Sequence, residues 1–138
     1  HDTVARGLAA WCQNRPEIVQ VLHPALPDSP GHTHWRNVCG DALGRAAGLF
    51  SVVFDPQYSS RQVDAFCDAL KLFKLGYSWG GPVSLVVPYD LASMRTLATG
   101  HIRDGILVRF SVGLEEQDCL IADLEQALSR ALSAPAGR

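Results

Sequence analysis

The chain has few charges, no basic run and no long apolar run, and each absence removes a class of function. Only 19% of its 138 residues are charged, against roughly 25% in an average globular domain. That points to a surface partly covered by something outside this chain. Twelve Lys and Arg stand against fourteen Asp and Glu for a net charge of −2. With no cluster among them, little is available to neutralise a phosphate backbone, which argues against a nucleic-acid partner. No stretch approaches the ~20 consecutive apolar residues of a membrane-crossing helix, so no membrane partner is expected. The opening His1-Asp2-Thr3-Val4-Ala5-Arg6 lacks the basic segment and apolar core of a secretory signal. Without an initiator Met it reads as cut from something longer. Cys12, Cys39, Cys67 and Cys119 form no C-x-x-C pair, so neither a zinc site nor a dense disulfide framework is indicated. They are expected to be reduced core thiols of a cytoplasmic protein. No internal repeat or low-complexity linker occurs, and 47% apolar residues supply a core for one domain over 1–138, with a flexible tail at 133–138.

What is present reads as short strands among helices. Val4, Leu8, Trp11 and Cys12 recur at helical spacing until Pro16, predicting an amphipathic helix whose apolar stripe needs a partner surface. Ile18 to Leu22 is β-rich and is closed by the turn formers His23 to Gly31. Ser29-Pro30 resembles an N-cap and first helical residue of a short helix through Trp35 to Cys39, and 40–48 reads as a loop of small residues. Leu49 to Phe54 is a strand ended by Asp55-Pro56. Ser59 and Gln62 form a capping-box signature before the helical face Val63, Phe66, Cys67 and Leu70. Leu72 to Trp79 reads as extended, Ser84 to Val87 as a strand stopped by Pro88, and Asp90 as the cap of a helix through Met94 and Leu97. Ile106 to Val112 is a strand, and Leu120, Leu124 and Leu128 mark a last helix from Glu116 to about Leu132. This order permits either a parallel α/β sheet or an α+β layer with helices on one face, and periodicity alone does not choose.

Most candidate chemistry has a plain structural reading. His32 and His34 would share a face on a strand and could ligate a metal, but on the helix predicted here they diverge, with no third ligand nearby. Glu115, Glu116 and Asp118 open the last helix, where carboxylates complement the helix dipole. Gly76, Gly80 and Gly81 match neither phosphate-loop pattern. Lys71 and Lys74 are the candidates for a Schiff-base lysine, yet beside a helix C-terminus they are also natural solvated cations. Spacing assembles no Ser/His/Asp triad. Arg109 differs, because it interrupts the apolar run Ile106-Leu-Val-Arg-Phe-Ser-Val112, where a guanidinium must reach water or find an anion. Alternation puts it with Leu107 and Ser111, opposite Val108 and Phe110. It is either a water-facing residue of an edge strand or a fork that clamps a carboxylate. Tyr77-Ser78-Trp79-Gly80-Gly81 is too polar for core and too aromatic for a plain turn, and reads as pocket lining.

With these two segments stand the strings Val21-Leu-His-Pro-Ala-Leu-Pro-Asp-Ser-Pro-Gly-His32, Gly48-Leu-Phe-Ser51, Ser84-Leu-Val86, Val108-Arg-Phe-Ser-Val-Gly-Leu-Glu115 and Leu120-Ile-Ala-Asp-Leu-Glu125. Together they resemble, over most of the chain, the C-terminal domain of the trans-sulfuration family of pyridoxal-phosphate (PLP) enzymes. The string Tyr77-Ser-Trp-Gly-Gly81 is similar to that of the family's carbon–sulfur β-lyase branch, the γ-synthase, γ-lyase and sulfhydrylase branches being the alternative. The resemblance implies an α+β fold, the small C-terminal domain of a fold-type I enzyme. That domain has a mostly antiparallel sheet of about four strands with helices on one face, docked on a large cofactor domain. The docking would account for the low charge and for the first helix's orphan stripe. It implies that Arg109 binds the α-carboxylate of a small amino-acid substrate, that Ser78 positions substrate and Schiff-base lysine, and that Tyr77 and Trp79 line the pocket. It further implies that the Schiff-base lysine and the other PLP-binding groups lie before His1, since neither Lys71 nor Lys74 matches the family lysine. The parent would be a homotetramer cleaving the Cβ–S bond of cystathionine, while this chain alone would hold no cofactor and catalyse nothing. The stretch 37–47 departs from the family's usual loop before Gly48. A free-standing binding module is the reading from a different class.

Overall fold

The computed structural model describes residues 1–39, 45–90 and 100–132. The predicted helix through Met94 and Leu97 and the predicted tail at 133–138 lie outside them, as does most of 37–47 after Cys39. The elements in order are α1 (Asp2–Gln13), β1 (Ile18–Leu22), α2 (His32–Cys39), β2 (Leu49–Phe54), α3 (Ser60–Ala69), β3 (Lys74–Leu75), β4 (Leu85–Tyr89), β5 (Leu107–Ser111) and α4 (Gln117–Leu132). Among the described residues no helix is long and apolar enough to cross a membrane.

The strands form one sheet in the order β1-β2-β5-β4-β3. Every pairing is antiparallel except β3 with β4, which decides for α+β. The fifth strand, beyond the expected four, is β3. It keeps only two residues of the extended stretch predicted from Leu72 to Trp79. The predicted stop at Pro88 is also corrected, because β4 runs through it to Tyr89. β3 reaches only to Val86, so among the described residues no strand pairs with the outer side of β4 at Pro88, where a missing N–H breaks no ladder bond.

Register sorts the side chains. Phe110 of β5 lies between Phe50 and Val86, and Val108 lies beside Val52. This face joins one hydrophobic core with Leu8 and Cys12 of α1, Val63 and Phe66 of α3, and Leu120, Leu124 and Leu128 of α4. All five phenylalanines gather here, with Phe50 stacked on Phe110 at 5.1 Å and Phe73 meeting it edge-on at 5.2 Å. Such offset and edge contacts add to the area each ring buries. The capping box holds as predicted, with Ser59 and Gln62 exchanging side-chain to backbone hydrogen bonds at the start of α3. The apolar stripe of α1 does not await an outside partner. Ala5, Leu8, Ala9 and Cys12 are buried, in the core formed with the sheet and α4. The expectation of four core thiols is likewise corrected, since Cys12 and Cys67 are buried while Cys39 and Cys119 are exposed, all four unpaired.

One buried carboxylate organises the route from α3 to β3. Asp123 of α4 accepts the backbone N–H of Lys71 at 2.9 Å and of Leu72 at 2.7 Å, and a side-chain N–H of Gln126 at 3.0 Å. Three consecutive amides at 71–73 point to it, the longest contact being 3.4 Å from Phe73. Without the carboxylate the part-buried amides of Lys71 and Leu72 and the buried amide of Phe73 lose this acceptor. Asp123→Ala is therefore expected to lower the unfolding free energy by about 3 kcal/mol, at the upper end for an unsatisfied buried group, as read by urea denaturation.

Candidate functional site

Arg109 is on β5, the third of five strands, so the edge-strand reading is overturned. Its Cα neighbours are Ser51 on β2 and Val87 on β4. Alternation carries the side chain to the face opposite Phe110, as expected. There it does not simply reach water. Nη2 donates to the carbonyl of Tyr77 at 2.5 Å and to that of Ser78 at 3.3 Å, and the guanidinium carbon lies 5.9 Å from the centre of the Trp79 ring. Nε is buried without a hydrogen-bond partner among the described residues. The fork is thus fixed at one nitrogen by backbone and flanked by indole, with a buried donor uncommitted.

The four residues singled out from sequence therefore meet at one place, but in unequal ways. Ser78 contributes its carbonyl to Arg109, while the residues Tyr77 and Trp79 remain 73% and 63% exposed. The turn after Trp79 uses Gly80 at φ +75°, a backbone state open to glycine. Beside Trp79 lies a depression of about 340 Å³, walled also by Gly80, Gly48, Leu49 and Val112 and by the start of α1. Leu75, Tyr77, Trp79, Val83 and Leu114 form an exposed apolar set, drawn from two segments joined where Leu114 N–H donates to the Pro82 carbonyl at 2.9 Å.

Sequence reasoning missed the carboxylate that organises this corner. Glu115 was expected to complement the dipole of the last helix, but that helix begins at Gln117, with Asp118 in its first turn. Glu115 instead accepts the N–H of Ser84 at 3.1 Å and its hydroxyl at 2.9 Å. The two residues are 31 apart in sequence, and no local pattern announces such a pair.

The metal reading of His32 and His34 gains no support from the geometry. His32 Nδ1 lies 2.6 Å from the Pro24 carbonyl, and α2 buries neither histidine. Among the described residues no three His, Cys, Asp or Glu side chains converge.

The family model for Cys/Met metabolism PLP-dependent enzymes matches residues 1–129. The chain belongs to this family. It is 40% identical over 133 residues to the cystathionine beta-lyase of Salmonella typhimurium strain LT2, covering 94% of this chain and 32% of that protein. It is 36% identical over 130 residues to the L-alanine/L-glutamate racemase of Wolbachia pipientis wMel, covering 94% and 31%. Its fold matches, at a TM-score of 0.76 and 27% identity, a Campylobacter jejuni protein assigned as an O-acetylhomoserine (thiol)-lyase and carrying a pyridoxyl-lysine phosphate. That match covers 94% of this chain and 29% of the other. The chain spans about a third of the length of the relatives it matches.

As a member of a PLP-dependent family, the chain is measured against the cofactor's needs. Its two lysines, Lys71 and Lys74, are both exposed, and Lys74 Nζ donates to the Lys71 carbonyl at 2.8 Å. Neither offers the buried amine that an imine-forming lysine requires. Neither lysine thus fits the cofactor's aldehyde. Nor is there an activated thiol in the core, because burial pushes Cys12 and Cys67 up to about 12. Native protein is expected to react with a thiol reagent at Cys39 and Cys119 alone, and at all four cysteines in denaturant. Mass mapping of the labelled peptides reads this directly.

His23 is fully buried, its Nδ1 accepts the Ala25 N–H at 3.1 Å, and its Nε2 has no partner among the described residues. Burial, followed by the nearby Arg6 charge, pulls its pKa below the usual 6.5. The folded state therefore prefers neutral His23. Its contribution to stability is full above pH 6.5 and is lost as the pH falls towards the lowered folded value, because the unfolded chain takes up the proton first. Urea denaturation between pH 7.5 and 5.5 is expected to show this slope, and His23→Asn to flatten it.

Proposed function

We propose that this chain is the substrate-carboxylate-binding domain of a PLP-dependent cystathionine β-lyase, a lyase that releases homocysteine, pyruvate and ammonia. The observation that carries this reading is the Arg109 fork, held at Nη2 by the carbonyls of Tyr77 and Ser78 and flanked by Trp79. A planar guanidinium on a central strand, with Nη2 held by the loop and no hydrogen bond from Nη1 among the described residues, is suited to capture of a carboxylate. PLP, when bound in a family member, supplies the electron sink for breaking bonds at Cα and Cβ. This domain's part is to orient: a carboxylate gripped at Arg109 fixes the direction of the Cα–H bond, while Ser78 sits beside it and the Trp79 and Tyr77 rings exclude water from the amino-acid side chain.

The exposed set Leu75, Tyr77, Trp79, Val83 and Leu114 supports a second half of the site packing here, in a large domain that carries the Schiff-base lysine. On this reading the chain alone forms no imine with PLP and has no lyase activity. The relative named as a racemase favours one further reading, that the parent protein turns over another amino acid with the same carboxylate grip. The two are separated by offering the full-length protein cystathionine and assaying pyruvate. Release of pyruvate supports the β-lyase; 2-oxobutyrate, or no product alongside racemisation of alanine, rejects it. Arg109→Lys in that protein is expected to raise KM by about 10- to 100-fold with a smaller change in kcat, because an ammonium cannot reproduce the fork and the lost contact is made in ground and transition states alike. An unchanged KM rejects the role of Arg109.

A further inference from the structure

We propose that Glu115 is a positioning residue for the Arg109 site, acting through Ser84; this rests on Arg109 being the carboxylate-binding residue. The loop 76–83 carries Tyr77, Ser78 and Trp79. Its outgoing end is held by Gly76 N–H on the Val86 carbonyl at 3.3 Å and by the Arg109 contacts. Its returning end is held at Ser84, which is fully buried. There the two oxygens of Glu115 take the two donors of Ser84, Oε2 the backbone N–H and Oε1 the hydroxyl. With its proton committed to Glu115, the Ser84 hydroxyl oxygen presents a lone pair, and it accepts the Gly113 N–H at 2.8 Å.

The relay therefore spans two segments that both bear on the site. Gly113 lies four residues beyond Arg109 on the continuation of β5, and Ser84 closes the loop whose carbonyls aim the guanidinium. The segments run in direct contact, since a Cβ at Gly113 would lie 2.3 Å from the Pro82 carbonyl oxygen and 2.7 Å from Glu115 Oε1. Only glycine tolerates that approach. Removing the carboxylate leaves the Ser84 N–H and hydroxyl without their acceptor, frees that hydroxyl to rotate away from the Gly113 N–H, and lets the loop shift against β5. A bidentate contact is sensitive to a shift of that kind.

The test is steady-state kinetics of the full-length, PLP-loaded protein with cystathionine, comparing Glu115→Ala, Glu115→Gln, Ser84→Ala and Arg109→Lys, with thermal unfolding of each. Glu115→Ala and Ser84→Ala are expected to raise KM about 10-fold with kcat within about 3-fold, and Glu115→Gln, which keeps one of the two acceptors for Ser84, to recover part of the loss. Should Glu115→Ala not fold, Glu115→Asp, which withdraws the carboxylate by one methylene, gives the same reading of KM. If Arg109→Lys raises KM while the Glu115 and Ser84 variants change only the melting temperature, the inference is overturned and the carboxylate reading stands. If Arg109→Lys leaves KM unchanged, both fall.

Discussion

The structure depends on the opposed demands of two adjacent residues. Phe110 must be buried and Arg109 must not be left without partners, and a strand satisfies both because consecutive side chains point to opposite faces. Phe110 sits between Phe50 and Val86 and touches Phe50, Phe66 and Phe73. It fixes the position of β5 against α3 and the helical layer, and by doing so it fixes where the guanidinium emerges. A one-residue slip in register would send the charge into the aromatic cluster, a cost of several kcal/mol for an unpaired buried ion. The burial that stabilises the domain thus also sets the angle of its charged group.

A guanidinium on a central strand would still sample several rotamers without something on the far side to receive it. The carbonyls of Tyr77 and Ser78 do this, and the loop that presents them is governed by carboxylates at both flanks. Asp123 gathers the amides of 71–73 ahead of β3, and Glu115 binds Ser84 where the loop returns to β4. Both acids come from α4 or the residues just before it. The helix that closes the hydrophobic core therefore also places the polar loop, which ties the rigidity of the site to the packing of Leu120, Leu124 and Leu128 beneath it.

Much of this was legible in the sequence. The alternation around Arg109, the capping box at Ser59 and the leucine spacing of α4 are local signals, and the structure agrees with each. Arg109 and the Tyr77 to Trp79 string stood out because a charge in an apolar strand and aromatics in a glycine-rich turn both lack a cheap structural excuse. What local pattern could not show was strand order. Whether β5 is central or at an edge depends on how β2 and β4 flank it, and periodicity carries no information about neighbours. The same limit hid Glu115, whose place just before a helix invited an explanation from the helix dipole, while its partner lay 31 residues away. Pro88 misled for a related reason: its lack of an N–H matters only on a side that is paired, and the ladder's extent is a property of the sheet rather than of the residue.

On the proposed reading, a carboxylate grip at Arg109 also bears on why similarity over this domain does not sort reactions. Every α-amino acid presents the same carboxylate, so a fork that holds it is indifferent to whether the bond broken next is Cβ–S or Cα–H. A relative named as a racemase and one named as a β-lyase can then each match this chain, at 36% and 40% identity. Discrimination must come from groups that meet the side chain of the substrate or carry its protons. In the proposed site Trp79 and Tyr77 are the residues placed to do so, and both are largely exposed. On the proposed reading, an exposed ring beside a rigid fork is half of a pocket. The fork sets where the amino acid begins, and the surface that closes over Trp79 sets which side chain fits.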